Sequence, residues 1–153
     1  MLVTCHNGKT KAYWYQDGYA RTSSAFFSLD DIDPYIHLTN DAVQVNADNY
    51  SYFEEGNKLS YSEMQRYLDG LPSLGRNLDL YNVLVPKMKE IAGMTVKSAW
   101  MSLNRENRDK NFELFGLDFM VDEDFKPWLI EVNTNPCLEL SSSVLQRLIP
   151  YMI

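Results

Sequence analysis

The sequence predicts an α+β chain, largely antiparallel sheet with packed helices. Three observations carry that expectation. An Asn7-Gly8 pair separates two β-rich runs near the start, the strongest short-range signal for a two-residue hairpin turn. Two further β-rich runs, Phe112 to Val121 and Pro127 to Val132, flank a polar turn. Between these hairpins, Leu80, Val83, Leu84, Met88, Ile91, Ala92, Ala99 and Leu103 largely follow the spacing of one helical face. With 153 residues, 45% of them hydrophobic, the chain is long enough to bury a core.

Leu2 to Cys5 is predicted as the first strand, His6 to Lys9 as its turn, and Lys11 to Tyr15 as the returning strand. Asp17-Gly18 marks a second turn, and Tyr19 to Ser24 a short third strand. A strand beginning at residue 2 leaves no room for anything before it, so a fragment with its sheet partners upstream is expected. Residues 28–60 are polar and predicted as a long loop, with one helical turn near Asp41 to Val45. Ser60 with Glu63 has the spacing of a capping box and starts a short helix to Leu68, ended by Asp69-Gly70 and Pro72. The helix over 79–103 contains Pro86, which predicts a kink or a later start near Asn82. Ser141 to Met152 closes the chain as a helix.

Lys and Arg total 14 against 21 Asp and Glu, a net charge of −7. So acidic a chain repels nucleic acid and anionic membrane, and neither is expected as a partner. No apolar run approaches the roughly 18–20 residues of a membrane span, and no signal peptide is visible. Cys5 and Cys137 are too few for a disulfide framework and are predicted as buried free thiols, which suits a reducing cytosol. The acidity is uneven: net −4 over residues 1–60, +2 over 61–111 and −5 over 112–153.

Several acids of the last third fall inside apolar strands. Strand side chains alternate faces, which puts Phe112, Leu114, Gly116, Asp118 and Met120 together, and likewise Leu129, Glu131 and Asn133. A four-residue turn from Glu123 to Lys126 sets Asp122 against Pro127, Asp118 against Glu131, and Gly116 against Asn133. Two carboxylates about 5 Å apart destabilise a strand pair, and a divalent cation removes the conflict. Asp, Glu and Asn supply hard oxygens that suit Mg2+, with Gly116 leaving space beside it. The alternative is an amphipathic hairpin whose polar residues face water.

The run Phe-Glu-Leu-Phe-Gly-Leu-Asp-Phe-Met-Val-Asp-Glu from Phe112, followed by Pro-Trp-Leu-Ile-Glu-Val-Asn from Pro127, resembles the C-terminal hairpin of the tubulin-tyrosine ligase family. Asp17-Gly-Tyr-Ala-Arg21 is similar to that family's arginine strand, and His37-Leu-Thr-Asn40, followed by Gln44, to its HLTN motif. Tyr52-Phe-Glu-Glu-Gly-Asn57 is similar to a segment that follows HLTN in the ligase itself. These stretches occur in order over almost the whole chain.

The resemblance implies the C-terminal part of an ATP-grasp ligase. It assigns Asp118, Glu131 and Asn133 to Mg2+ and ATP phosphates, Arg21 to the phosphate region, and Asn40 to the active site. His37 is expected as a packing residue. The implied reaction is ATP-dependent addition of an amino acid (Tyr, Glu or Gly) to tubulin or microtubules through an acyl-phosphate. The implied location is the cytoplasm and cytoskeleton, with a cilium or flagellum included. Two departures favour a non-catalytic tubulin-binding or scaffold relative as the alternative. Val45 follows Gln44 where the family usually has Lys, and the upstream adenine-binding lobe is absent from these 153 residues.

Overall fold

The structure, a computed structural model, describes residues 1–71, 78–106 and 108–153. In chain order its elements are β1 (Leu2–His6), β2 (Lys9–Tyr13), β3 (Tyr19–Arg21), α1 (Pro34–His37), α2 (Asp41–Gln44), β4 (Lys58–Ser60), α3 (Tyr61–Asp69), α4 (Val85–Leu103), β5 (Asn111–Leu114), β6 (Gly116–Val121), β7 (Pro127–Asn133) and α5 (Ser143–Met152). A 3-10 turn at Glu55–Asn57 precedes β4, and a π turn at Leu80–Leu84 precedes α4. The chain forms two compact units, one of Met1–Gln16 with Arg76–Cys137, the other of Asp17–Gly75 with Leu138–Ile153. The mixture of helices with antiparallel strand pairs is the predicted α+β class.

In the first unit β1 is the middle strand of the antiparallel order β2-β1-β5. The Asn7-Gly8 turn works as predicted: both residues have positive φ, 50° and 67°, and His6 pairs with Lys9. The returning strand is Lys9–Tyr13 rather than Lys11 to Tyr15. β1 draws a partner on each side from within the chain.

The predicted strand from Phe112 to Val121 is two strands, because the chain changes partner at Phe115. β5 pairs with β1, and Phe115 and Met1 exchange backbone hydrogen bonds of 2.8 Å. From Gly116 the chain pairs with β7 instead. Alternation of faces therefore does not run from Phe112 through Met120. The later start expected from Pro86 is found, but at Val85 rather than near Asn82, which lies in the π turn. Helix proper starts at Val85 with Pro86 in its first turn, where no N–H is missed. The wide turn before it is capped by Asp79, which accepts from Asn82 N–H at 2.8 Å. Leu80, Leu84, Val85, Met88 and Ala92 are buried, and α4 packs on β7.

In the second unit β3 pairs antiparallel with β4, setting Arg21 opposite Lys58. The predicted capping box is present: Ser60 Oγ accepts from Glu63 N–H at 3.3 Å, and Glu63 Oε2 accepts from Ser60 N–H at 2.8 Å. The helix runs to Asp69; Pro72, expected to end it, lies outside the described residues. α5 begins after its cap Ser142 and buries Val144, Leu145, Leu148 and Ile149. Residues 28–60 are more ordered than predicted, holding α1, α2, the 3-10 turn and β4. Polar side chains tie them together, so apolar periodicity carries no trace of them. Among the described residues no helix is long and apolar enough to cross a membrane.

Candidate active site

The β6–β7 hairpin is closed by Asp122. Its Oδ1 accepts from the Asp124 and Lys126 N–H groups at 3.0 Å each, and its Oδ2 from Trp128 Nε1 at 2.7 Å. The Trp128 indole, then these amides, hold its carboxyl below the usual 3.8. Lys126 Nζ lies 3.8 Å from the Trp128 ring centroid. This closure takes the turn to five residues, Asp122 to Lys126, so Val121 rather than Asp122 faces Pro127. Met120 then faces Trp128 and Phe119 faces Leu129. A bulge leaves Ile130 unpaired, and beyond it Asp118 faces Glu131, Leu117 faces Val132 and Gly116 faces Asn133. The predicted pairs are thus reached by a different route, since the bulge compensates the longer turn.

Asn133 ties the acids together. Its Nδ2 lies 3.2 Å from Glu131 Oε1 and 3.5 Å from Asp118 Oδ2. Glu131 is exposed, while Asp118 and Asn133 are half-buried. A β-carbon at Gly116 would sit 3.0 Å from Pro136 Cβ and 3.8 Å from Asn133 Cβ. The glycine therefore admits Pro136, which corrects the expectation that it leaves space for an ion. Among the described residues no group of three or more His, Cys, Asp or Glu side chains could hold a metal. The convergent set here is two carboxylates and one amide. That donor chemistry fits Mg2+, which takes one or two protein carboxylates and completes its shell with phosphate or water oxygens. For Asn133 to add its oxygen, the amide must turn over, since its NH2 faces the acids.

Arg21 and Asn40 belong to the other unit. Arg21 ends β3 and is half-buried. Gly18, three residues before it, lies under Tyr61: a β-carbon there would be 2.5 Å from the Tyr61 hydroxyl oxygen. Asn40 occupies the cap position of α2 but makes no side-chain cap bond, and it is exposed. His37, expected as packing, is exposed; its Nε2 donates to the Asp31 carbonyl at 2.5 Å, and its ring meets Phe27 edge-on at 5.9 Å. Cys5 is buried, but Cys137 is exposed, against expectation. The structure thus brings Asp118, Glu131 and Asn133 together in one unit, with Arg21 and Asn40 in the second.

Around Arg21 and Asn40 lies a polar interior that the sequence does not single out. Lys58 is buried, with Nζ 2.7 and 2.8 Å from the two Asp41 carboxylate oxygens and 2.9 Å from the Gly56 carbonyl. Gln44 is fully buried. Its Oε1 accepts from Ser24 N–H at 2.8 Å and Asn57 Nδ2 at 3.2 Å, and its Nε2 donates to the carbonyls of Tyr35 and Leu38 at 3.1 and 2.5 Å. The only sequence signal is that Gln44 follows one family-like motif and Asn57 ends another. Burial of the Lys58 side chain has no sequence mark.

The whole chain, residues 1–153, matches the model of the tubulin-tyrosine ligase family. It is 36% identical over 151 residues to a protein monoglycylase of Homo sapiens, covering 96% of this chain and 17% of that relative. It is 35% identical over 138 residues to a probable tubulin polyglutamylase of Mus musculus, covering 86% of this chain and 27% of the relative. A tubulin monoglycylase of Homo sapiens is 33% identical over 151 residues, 96% of this chain and 19% of the relative. The chain therefore spans roughly a sixth to a quarter of the length of these relatives. The family match over every residue, together with these identities, places the chain in the tubulin-tyrosine ligase family.

Proposed function

We propose that this chain, as part of a longer polypeptide, forms the C-terminal ATP-grasp portion of a Mg2+-dependent carboxylate–amine ligase that adds an amino acid to tubulin. The observation that carries this is the convergence of Asp118, Glu131 and Asn133 at one point of the β6–β7 hairpin. Family membership, and relatives named as glycylases and polyglutamylases, support the reaction class. The added residue is Gly, Glu or Tyr, and the acceptor is tubulin or microtubules in the cytoplasm, cytoskeleton, cilium or flagellum.

In this scheme a carboxylate is phosphorylated by ATP, and the amine of the second substrate displaces phosphate from the acyl-phosphate. Asp118, Glu131 and Asn133 would hold Mg2+, which when bound offsets negative charge on the nucleotide phosphates. Arg21 supplies a fixed positive charge to the phosphate region, where charge develops on the transferred group. Asn40, with its side chain not spent on capping α2, is free to orient that group. No nucleophilic side chain is required.

A non-catalytic tubulin-binding or scaffold relative is the second possibility, favoured by one observation: exposed Val45 stands where family members usually carry Lys. Glu131→Gln in the full-length protein separates the two. It should lower Mg2+-dependent amino-acid incorporation into tubulin by on the order of 100-fold or more, with the melting temperature unchanged. Turnover that survives this substitution removes the metal assignment. Absence of turnover in the unsubstituted full-length protein, with tubulin still bound, selects the scaffold.

A further inference from the structure

We propose that Gln44 is a positioning residue that fixes the Arg21 strand against the Asn40 turn; this rests on the active-site assignment of Arg21 and Asn40 above. The side-chain amide of glutamine can donate twice and accept twice, and Gln44 uses all four capacities on three chain segments, around Ser24, around α1 and at Asn57. Its oxygen takes Ser24 N–H, three residues beyond Arg21, and Asn57 Nδ2, next to Lys58, which is Arg21's cross-strand partner. Its NH2 group holds the carbonyls of Tyr35 in α1 and Leu38, two residues before Asn40. Asn57 completes the tie. Its Nδ2 also donates to Ser24 Oγ at 2.8 Å, and its carbonyl accepts from Thr22 N–H at 3.0 Å, directly after Arg21.

A chain stretch as polar as residues 28–60 has little apolar burial to hold Asn40 in place. Gln44 sits three residues into α2 from its first residue Asp41, so the helix that directly follows Asn40 is itself anchored by this amide. The Gln44 bonds to Ser24 and Asn57 are buried and those to Tyr35 and Leu38 part-buried; satisfied hydrogen bonds of this kind are directional and rigidify the segments they join. Phosphoryl transfer depends mainly on placement and electrostatics, so a displacement of a fraction of an ångström at Arg21 or Asn40 is costly.

The test is a mutant cycle on the full-length protein, with turnover expressed per folded molecule. Gln44→Met keeps length and shape but removes all four bonds; Gln44→Glu keeps both acceptor bonds and loses both donors. If either fails to fold, the other carries the test, and Asn57→Ser serves for both. Each is expected to lower kcat roughly 10- to 100-fold. Added to an Arg21→Ala, Asn40→Ala background, the same change should cost about twofold or less, because residues acting as a unit are non-additive. Full multiplicative loss in that background overturns the proposal and leaves a merely structural glutamine. Unchanged turnover in Arg21→Ala and Asn40→Ala overturns the site assignment itself, and this inference with it.

Discussion

Lys58 and Asp41 form an ion pair that is buried on one side only: the lysine side chain is 2% exposed and the aspartate 44%. The two partners should therefore not be equivalent to mutation. Lys58→Met leaves a carboxylate that water already reaches, and is expected to cost about 1 kcal/mol. Asp41→Ala strands an ammonium in the interior with one carbonyl for company, and should cost about 3 kcal/mol. Urea unfolding of the two variants measures this, and equal losses would contradict one-sided burial. The pair also marks what a sequence can disclose about single residues. Asp118, Glu131 and Asn133 are legible because two acids inside apolar strands are an anomaly that demands a reason. Lys58 is not, because a lysine in a polar stretch is ordinary and its burial depends on Asp41 and Gly56 arriving from elsewhere. Cys137 departs from expectation for the same reason: a thiol's burial is set by its neighbours, and at this position they leave it exposed.

At the scale of elements, turns and caps are legible because their chemistry is local. The Asn7-Gly8 turn has open space around Gly8, where an added β-carbon would meet nothing within 4 Å, and φ is +67°. Gly8→Ala should therefore cost only the backbone penalty, about 1 kcal/mol, and Gly8→Asn less. A steric loss beyond that, seen in thermal unfolding, would mean the turn is more crowded than its geometry. The α3 capping box gives a pH dependence. The Ser60 hydroxyl and then its amide hold the Glu63 carboxyl below its ordinary 4.5. The folded value is depressed, so this contribution is complete above about 4.5 and is lost as pH falls through the lower folded value. The stability gap between the protein and Glu63→Gln should be widest near neutral pH and close in acid; a gap independent of pH would exclude the carboxylate as its source. Non-local pairing is less legible. The five-residue turn and the Ile130 bulge cancel, so the correct Asp118–Glu131 pairing follows even from a turn one residue too short. The switch of partner at Phe115 and the β3–β4 pairing depend on strands far apart in sequence, which alternation within one run cannot reveal.

Over the whole molecule, the candidate chemistry is divided between the two units: the two acids and Asn133 lie in one, Arg21 and Asn40 in the other. The net charge of −7 includes Asp118 and Glu131, and the Asn133 amide donates to both. Mg2+ gives up its waters reluctantly and is commonly held jointly by protein carboxylates and a nucleotide's phosphates. Two carboxylates, one of them on an exposed residue, are a weak site without the phosphates to share the ion. In the proposed ATP-grasp scheme those phosphates are held in place only when the adenine end of the nucleotide is gripped by a second, upstream lobe. Residues 1–153 produced alone are therefore expected to fold but to incorporate no Gly, Glu or Tyr into tubulin with Mg2+ and ATP. A polypeptide that adds the upstream lobe should do so, and should lose that activity with Glu131→Gln. Labelled amino-acid transfer to purified tubulin, run side by side for the three proteins, decides it. Robust transfer by residues 1–153 alone would show that this hairpin and the Arg21–Asn40 unit hold nucleotide without a partner lobe, and the two-lobe scheme would fall.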